Sequence, residues 1–175
     1  MVVDRFTLAE ERRIYFDGIR LFNEGAFFEA HDAWEEAWHQ VGHRLRERFY
    51  RAIIQSAVTL ELLRRGQAVG VRKVFVSCKG LFDGVPPVFM GVDIPRHLDN
   101  LRRAIEPAIS DLRTRHVRID PRRLFQFELL YDPFGESRHG EDADAADTGI
   151  EPEGSIPPPF VPARRQASGQ PGKSQ

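Results

Sequence analysis

Residues 44–65, "RLRERFYRAIIQSAVTLELLRR", constrain the fold more than any other stretch of the chain. At 3.6 residues per turn, Phe49, Ile53, Ile54, Val58, Leu60, Leu62 and Leu63 spread around the whole circumference rather than along one stripe. A helix that is apolar nearly all round must be surrounded by other elements. Its neighbours in sequence are amphipathic and helical in period, so the chain is expected to be all-α. The expectation is a single bundle of about five helices with this one at the centre.

The boundaries follow from capping chemistry. Thr7 and Glu10 have capping-box spacing, a hydroxyl for one orphan N–H and a carboxylate reaching back for another. The first helix then keeps its stripe through Ile14, Ile19 and Phe22 until Gly25 offers a left-handed stop. A second helix is expected from about Ala26 to Gln40, the third from Arg44 to Arg65 with a stop at Gly66, and a fourth from Ala68 to Phe82. "DGVPPVFMGVDIP" holds too many prolines and glycines for regular structure and is read as a loop. A fifth helix is expected over about Pro95 to Thr114. "RTRHVRIDPRRLFQFELLYDPF" reads as an irregular segment packed on the body. Residues 1–134 thus form the helical domain. Residues 135–175 are Gly, Pro, Ser and acid with little to bury, and are expected to be a disordered tail. Deleting residues 136–175 is expected to leave the melting temperature nearly unchanged.

Bulk properties exclude several functions. A formal net charge of −1 in 175 residues gives no reason to expect nucleic acid or an anionic membrane as partner. The longest apolar runs are too short and interrupted to span a bilayer. A single cysteine, Cys78, rules out an internal disulfide and a cysteine-rich zinc site, and it reads as a buried structural thiol. The opening "MVVDRFTLAEERRIYFDG" carries early acids and no apolar core, unlike a signal peptide, so a cytoplasmic location is expected. There is no GxGxxG and no phosphate-binding loop, and Ser56 and Ser77 lie inside helical patterns. Arginines 113–123 read as a solvated basic patch.

"FFEAHDAWEEAWHQ", residues 27–40, concentrates what chemistry the chain offers. On a helix, Phe27, Ala30, Trp34, Ala37 and Trp38 share one arc. His31 lies on that arc and Glu35 flanks it one turn on, whereas Glu29, Asp32, Glu36 and Gln40 fall on the far side, toward water. A core-facing imidazole and carboxylate require partners. Three arrangements supply them. His31 and Glu35 bond each other and a polar group of the third helix, where Arg48, Arg51, Gln55 and Glu61 are the choices. They ligate zinc, iron or manganese. Or they act as a general base and its orienting carboxylate on an open cleft. "HDAWE" is only half of an HExxH helix, and no second ExxH exists to complete a ferritin-like site. His39 and His43 are near enough to join a metal. His97 and His116 lack ligand-spaced neighbours and are expected in solvent.

Together, "NEGAFFEAHDAWEEAWHQ", "FYRAIIQSAVTLELLRRGQAVGVRKVF" and "GVDIP" resemble domain-of-unknown-function family 309, widespread in bacteria and present in some plants. Gly25, Phe28, Glu29, His31, Glu35, Trp38 and Gln55 match its pattern. Asp32 stands where the family has Glu, and Glu61 and Arg64 where it has a second histidine near the end of the third helix. The resemblance covers about residues 10–110. It implies a small helical bundle, in a family sometimes labelled a predicted metal-dependent hydrolase without a settled activity.

The leading expectation is a non-enzymatic cytoplasmic bundle with no cofactor. Its binding residues are Glu29, His31, Glu35, Trp38 and Gln55, and its partner is a small molecule or a protein. The alternative is a metal-dependent hydrolase with His31 and Glu35 as ligands, and with Asp32 or Glu35 as the catalytic group. An exposed apolar remnant at Val85–Met90 would suit a homodimer.

Overall fold

The computed structural model describes residues 6–135, so the tail expected beyond residue 135 lies outside the described residues. The chain is all-α, built from α1 (Leu8–Asn23), α2 (Phe27–Trp38), α3 (Arg44–Arg64), α4 (Ala68–Phe82), α5 (Ile94–Ala104) and a single extra turn, α6 (Glu106–Ile109). A two-residue ribbon, β1 (Val88–Phe89) with β2 (Val92–Asp93), precedes α5.

The first four helices pack in chain order, α1 on α2, α2 on α3 and α3 on α4, so α3 lies between α2 and α4. That position explains its composition: from Phe49 to Leu63 it is buried almost without interruption. The capping box forms as its spacing predicts, Glu10 N–H donating to Thr7 Oγ1 at 3.2 Å and Thr7 N–H to the Glu10 carboxylate at 2.7 Å. α1 and α3 both stop on a left-handed glycine, Gly25 (φ 79°) and Gly66 (φ 75°). The next N–H in each case reaches back to Leu21 or Leu62, closing the last turn.

Two boundaries differ from expectation. The fifth helix breaks at Ile105 because Pro107 has no N–H for the Arg103 carbonyl and its ring crowds the preceding turn. The apolar period through Ile109 and Leu112 continues past the break and masks it. The segment read as a loop holds the ribbon. Met90 (φ 50°) and Gly91 (φ 78°) occupy the two left-handed positions that a two-residue hairpin turn demands. Tyr15 steadies the strained methionine by donating its hydroxyl to the Met90 carbonyl at 2.7 Å. Val85 and Met90 are buried and Phe89 is half-buried, while Pro86, Pro87 and Val88 are exposed in the stretch considered for a dimer.

Residues 124–134 form an irregular strap that does pack on the body. Both ends of the Asn23 side chain bond the Phe127 backbone, accepting from its N–H at 2.6 Å and donating to its carbonyl at 3.3 Å. Leu130 N–H donates to Gly91 O at 2.7 Å, which stitches the strap to the ribbon. The Phe127 ring then lies 5.5 Å from both Phe22 and Trp34. No helix among the described residues is long and apolar enough to cross a membrane.

Candidate functional site at the α2–α3 seam

The arc expected on α2 is the arc observed. Phe27, Ala30, Trp34 and Ala37 are buried, Trp38 is half-buried, and Glu29 and Glu36 are exposed. His31 is buried within that arc, only 2% exposed. Its Nδ1 lies 3.1 Å from Asp32 Oδ1, a contact the angular reading missed because it placed Asp32 on the water-facing side. Asp32 is half-exposed yet close enough in sequence to reach sideways to the ring. Glu35 is a third exposed and lies between two imidazoles, 3.9 Å from His31 Nε2 and 3.7 Å from His39 Nε2. Both separations exceed hydrogen-bond length.

Of the four third-helix residues offered as partners, none meets His31. Arg48 donates to the Leu81 and Gly80 carbonyls at the end of α4, at 2.8 and 2.7 Å. Glu61 is taken by Arg64 and Arg65, at 2.7 and 2.6 Å. Arg51 lies over the Trp38 ring, 5.5 Å from its centroid. Gln55 is buried. Among the described residues four buried polar atoms on α2 and α3 have no partner, and three of them, His31 Nε2, Arg51 Nε and Gln55 Oε1, belong to this seam, the fourth being Arg46 Nε at the start of α3. Arg51, Gln55 and Val58 fall on one face of α3, and His31, Glu35 and Trp38 on one face of α2. The antiparallel packing that sets Trp38 against Arg51 and His31 beside Val58 puts Gln55 between those two levels. The crevice at His31, lined by Phe27, Phe28, Val58 and Glu61, is too narrow to admit a water molecule.

Chemically, an Nδ1–H donated to Asp32 leaves the Nε2 lone pair as an acceptor turned into the seam. One ligand atom from each of His31, Asp32 and Glu35 lies within 4.8 Å of the others. The two ring nitrogens diverge, so one ion cannot use both. A cation on Nε2 and Glu35 would leave Asp32 to orient the ring from behind, as outer carboxylates do for metal-ligating histidines.

The family model for Domain of unknown function DUF309 matches residues 15–74. That stretch is similar to the DUF309 domain. The DUF309-like region runs from the middle of α1 into α4 and so contains every residue of the seam just described. Among curated proteins none matches the chain.

A second polar network lies outside the expectation. His97, assigned to solvent, is 5% exposed. Its ring is enclosed by Phe22, Phe82, Phe125 and Phe127, with centroids 5.0–6.4 Å away. Its Nε2 lies 3.0 Å from Ser56 Oγ, which lies 3.4 Å from Cys78 Sγ. Burial pushes the His97 imidazole down to about 4 and the Cys78 thiol up to about 12. Ser56 and Cys78 have no exposed surface, so this chain of nucleophile-type groups is internal packing. The signal was available: His97, Leu101 and Ala104 share one face of α5, and that face is the buried one. His116, by contrast, is exposed as expected.

A third group was missed in the same way. Glu11 sits on the apolar stripe of α1 with Ile14, Tyr15 and Gly18, and is buried. It accepts from the Tyr50 hydroxyl at 3.0 Å and pairs with Arg46 at 2.9 Å. Desolvation nevertheless raises its pKa above the ordinary glutamate value.

Proposed function

We propose that the DUF309-like region of this chain is a non-enzymatic binding module whose α2–α3 seam holds a small polar guest. The observation that carries this reading is the trio of unpartnered buried atoms, His31 Nε2, Arg51 Nε and Gln55 Oε1, on facing helices. Each unmet group costs on the order of 1–3 kcal/mol, and a guest with both donor and acceptor character relieves all three. Glu35, at the exposed edge, adds a charge at the entrance. The crevice at His31 is closed to water in this structure, so a guest requires α2 and α3 to part at that level, and hydrolysis, which needs a substrate and an attacking water together, requires a wider opening still.

A divalent cation is a second reading, supported by the mutual proximity of the His31, Asp32 and Glu35 donors; it would answer His31 Nε2 and Gln55 Oε1 but not the Arg51 N–H. His31 Nε2 and Glu35 would hold it, and Gln55 Oε1 offers a further oxygen. Metal analysis of tag-free protein decides between a cation and a neutral guest. Stoichiometric zinc, iron or manganese that disappears in His31→Ala supports the cation. For a neutral guest, metal-free protein should still release a bound small molecule on denaturation, and Gln55→Leu should lose it. Metal-free protein that releases nothing, together with His31→Phe that is as stable as the parent, would reduce the seam to simple packing.

A further inference from the structure

A second, larger hollow lies away from the seam residues, where α1, the start of α3, the ribbon turn and the end of the strap meet. It is a half-open groove of about 640 Å³, within the range of small-molecule sites. Its charged lining residues are Arg12 and Arg46, both cationic, with the His43 ring beside them. Each arginine is held from one side by a carboxylate, Arg12 by Asp132 at 2.9 Å and Arg46 by buried Glu11 at 2.9 Å. Those carboxylates fix the guanidinium groups while leaving donors unused, since each ion pair engages one terminal nitrogen. Arg46 Nε is buried without a partner among the described residues, and the guanidinium lies over the Phe134 ring, 5.5 Å from its centroid. The remaining walls are apolar. Phe89, Met90 and Phe134 form the floor, and Leu8 and Tyr131 stand at the rim with 66% and 46% of their surface in water.

Prearranged cationic donors beside uncovered apolar side chains describe a site for an amphipathic anion. We propose that this groove binds a small-molecule carboxylate with an apolar chain, its head on Arg12 and Arg46 and its chain along Phe89, Met90 and Phe134. The site lies apart from the α2–α3 seam and stands or falls independently of it.

Titration of the full chain with decanoate, followed calorimetrically, tests the assignment, with decylammonium as the same chain carrying the opposite charge. Decanoate should bind saturably and decylammonium should not. Arg12→Gln, at a half-exposed position, should weaken decanoate by about tenfold, the effect of losing one charge-assisted contact. Arg46→Gln strips Glu11 of its counter-charge and risks unfolding, so Ala9→Trp serves as the second variant. Ala9 is an exposed α1 position lining the groove, and the indole should block the site without touching the core. Absence of saturable decanoate binding would overturn the proposal. So would equal affinity for the two amphiphiles, or binding that survives Ala9→Trp unchanged.

Discussion

The indole of Trp34 donates its Nε1–H to the Tyr15 carbonyl at 3.1 Å, across the seam between α1 and α2. This approach is open only because Gly18, one turn along α1, has no side chain. A Cβ there would overlap the indole ring itself. Gly18→Ala should therefore destabilise the fold by roughly 1–3 kcal/mol in denaturant titration, even though alanine is the better helix former by about 1 kcal/mol. On a Trp34→Leu background, where no indole occupies the space, the same change should be neutral or stabilising. Equal losses in both backgrounds would show that the glycine serves something other than the tryptophan.

His97 and Glu11 should give the stability curve opposite slopes in acid. His97 is neutral when folded, its pKa held down to about 4 by burial, whereas the unfolded imidazole titrates near 6.5. Between those values the unfolded chain binds more protons, so stability is lost as pH falls through that window, by up to roughly 3 kcal/mol. His97→Phe should flatten this loss, measured as unfolding free energy from pH 7 to pH 4.

Glu11 works the other way. Its folded pKa is raised by desolvation, so between the ordinary glutamate value and the raised one the native state binds more protons. Its contribution to stability therefore increases as pH falls through that interval. Glu11→Gln keeps an acceptor for Tyr50 and cannot titrate. The free-energy difference between parent and variant should shift in the parent's favour as the solution is acidified across that interval, and a constant difference would contradict the assignment.

Arg48 should carry more stability than a surface arginine does. Its two bonds go to Leu81 and Gly80, carbonyls in the last turn of α4, where the Leu81 carbonyl otherwise accepts a long 3.4 Å bond from Gly84 N–H, and its guanidinium packs on Gly84. Arg48→Met keeps the stem and removes both bonds. A loss of about 1.5–3 kcal/mol is expected in thermal or chemical unfolding. A change within about 0.5 kcal/mol, ordinary for an exposed site, would mean water replaces the guanidinium without cost.

The helical architecture was legible because its signals are local. The capping box at Thr7, the stops at Gly25 and Gly66 and the all-round apolarity of α3 are each read within one or two turns. His31 was placed in the core by the same periodicity. Glu11 and His97 were equally legible in principle, since each interrupts an apolar stripe, but a polar residue on such a stripe reads as an error of phase until its partners are known. Those partners, Arg46 with Tyr50 and Ser56, come from other helices and depend on how the helices slide against one another. That no α3 side chain pairs with His31 was illegible for the same reason, since which residues stand opposite is a matter of register, whereas its contact with Asp32 is local and was missed by reading helical angle alone. The break before Pro107 was hidden by an apolar period that continues through it.

The strap gives the molecule an order of completion during synthesis. The four long helices finish at Phe82, and each pairs with the one made just before it, so they can assemble as they emerge from the ribosome. Phe127, which covers Phe22, Trp34 and His97, is translated more than forty residues later. Until then the nascent bundle carries an open aromatic face, and the newest part of the chain closes onto Asn23, near the end of its first helix. A polypeptide ending at residue 124 would contain the whole DUF309 match and still leave that face uncovered, a state that invites capture by chaperones or by another unfinished copy.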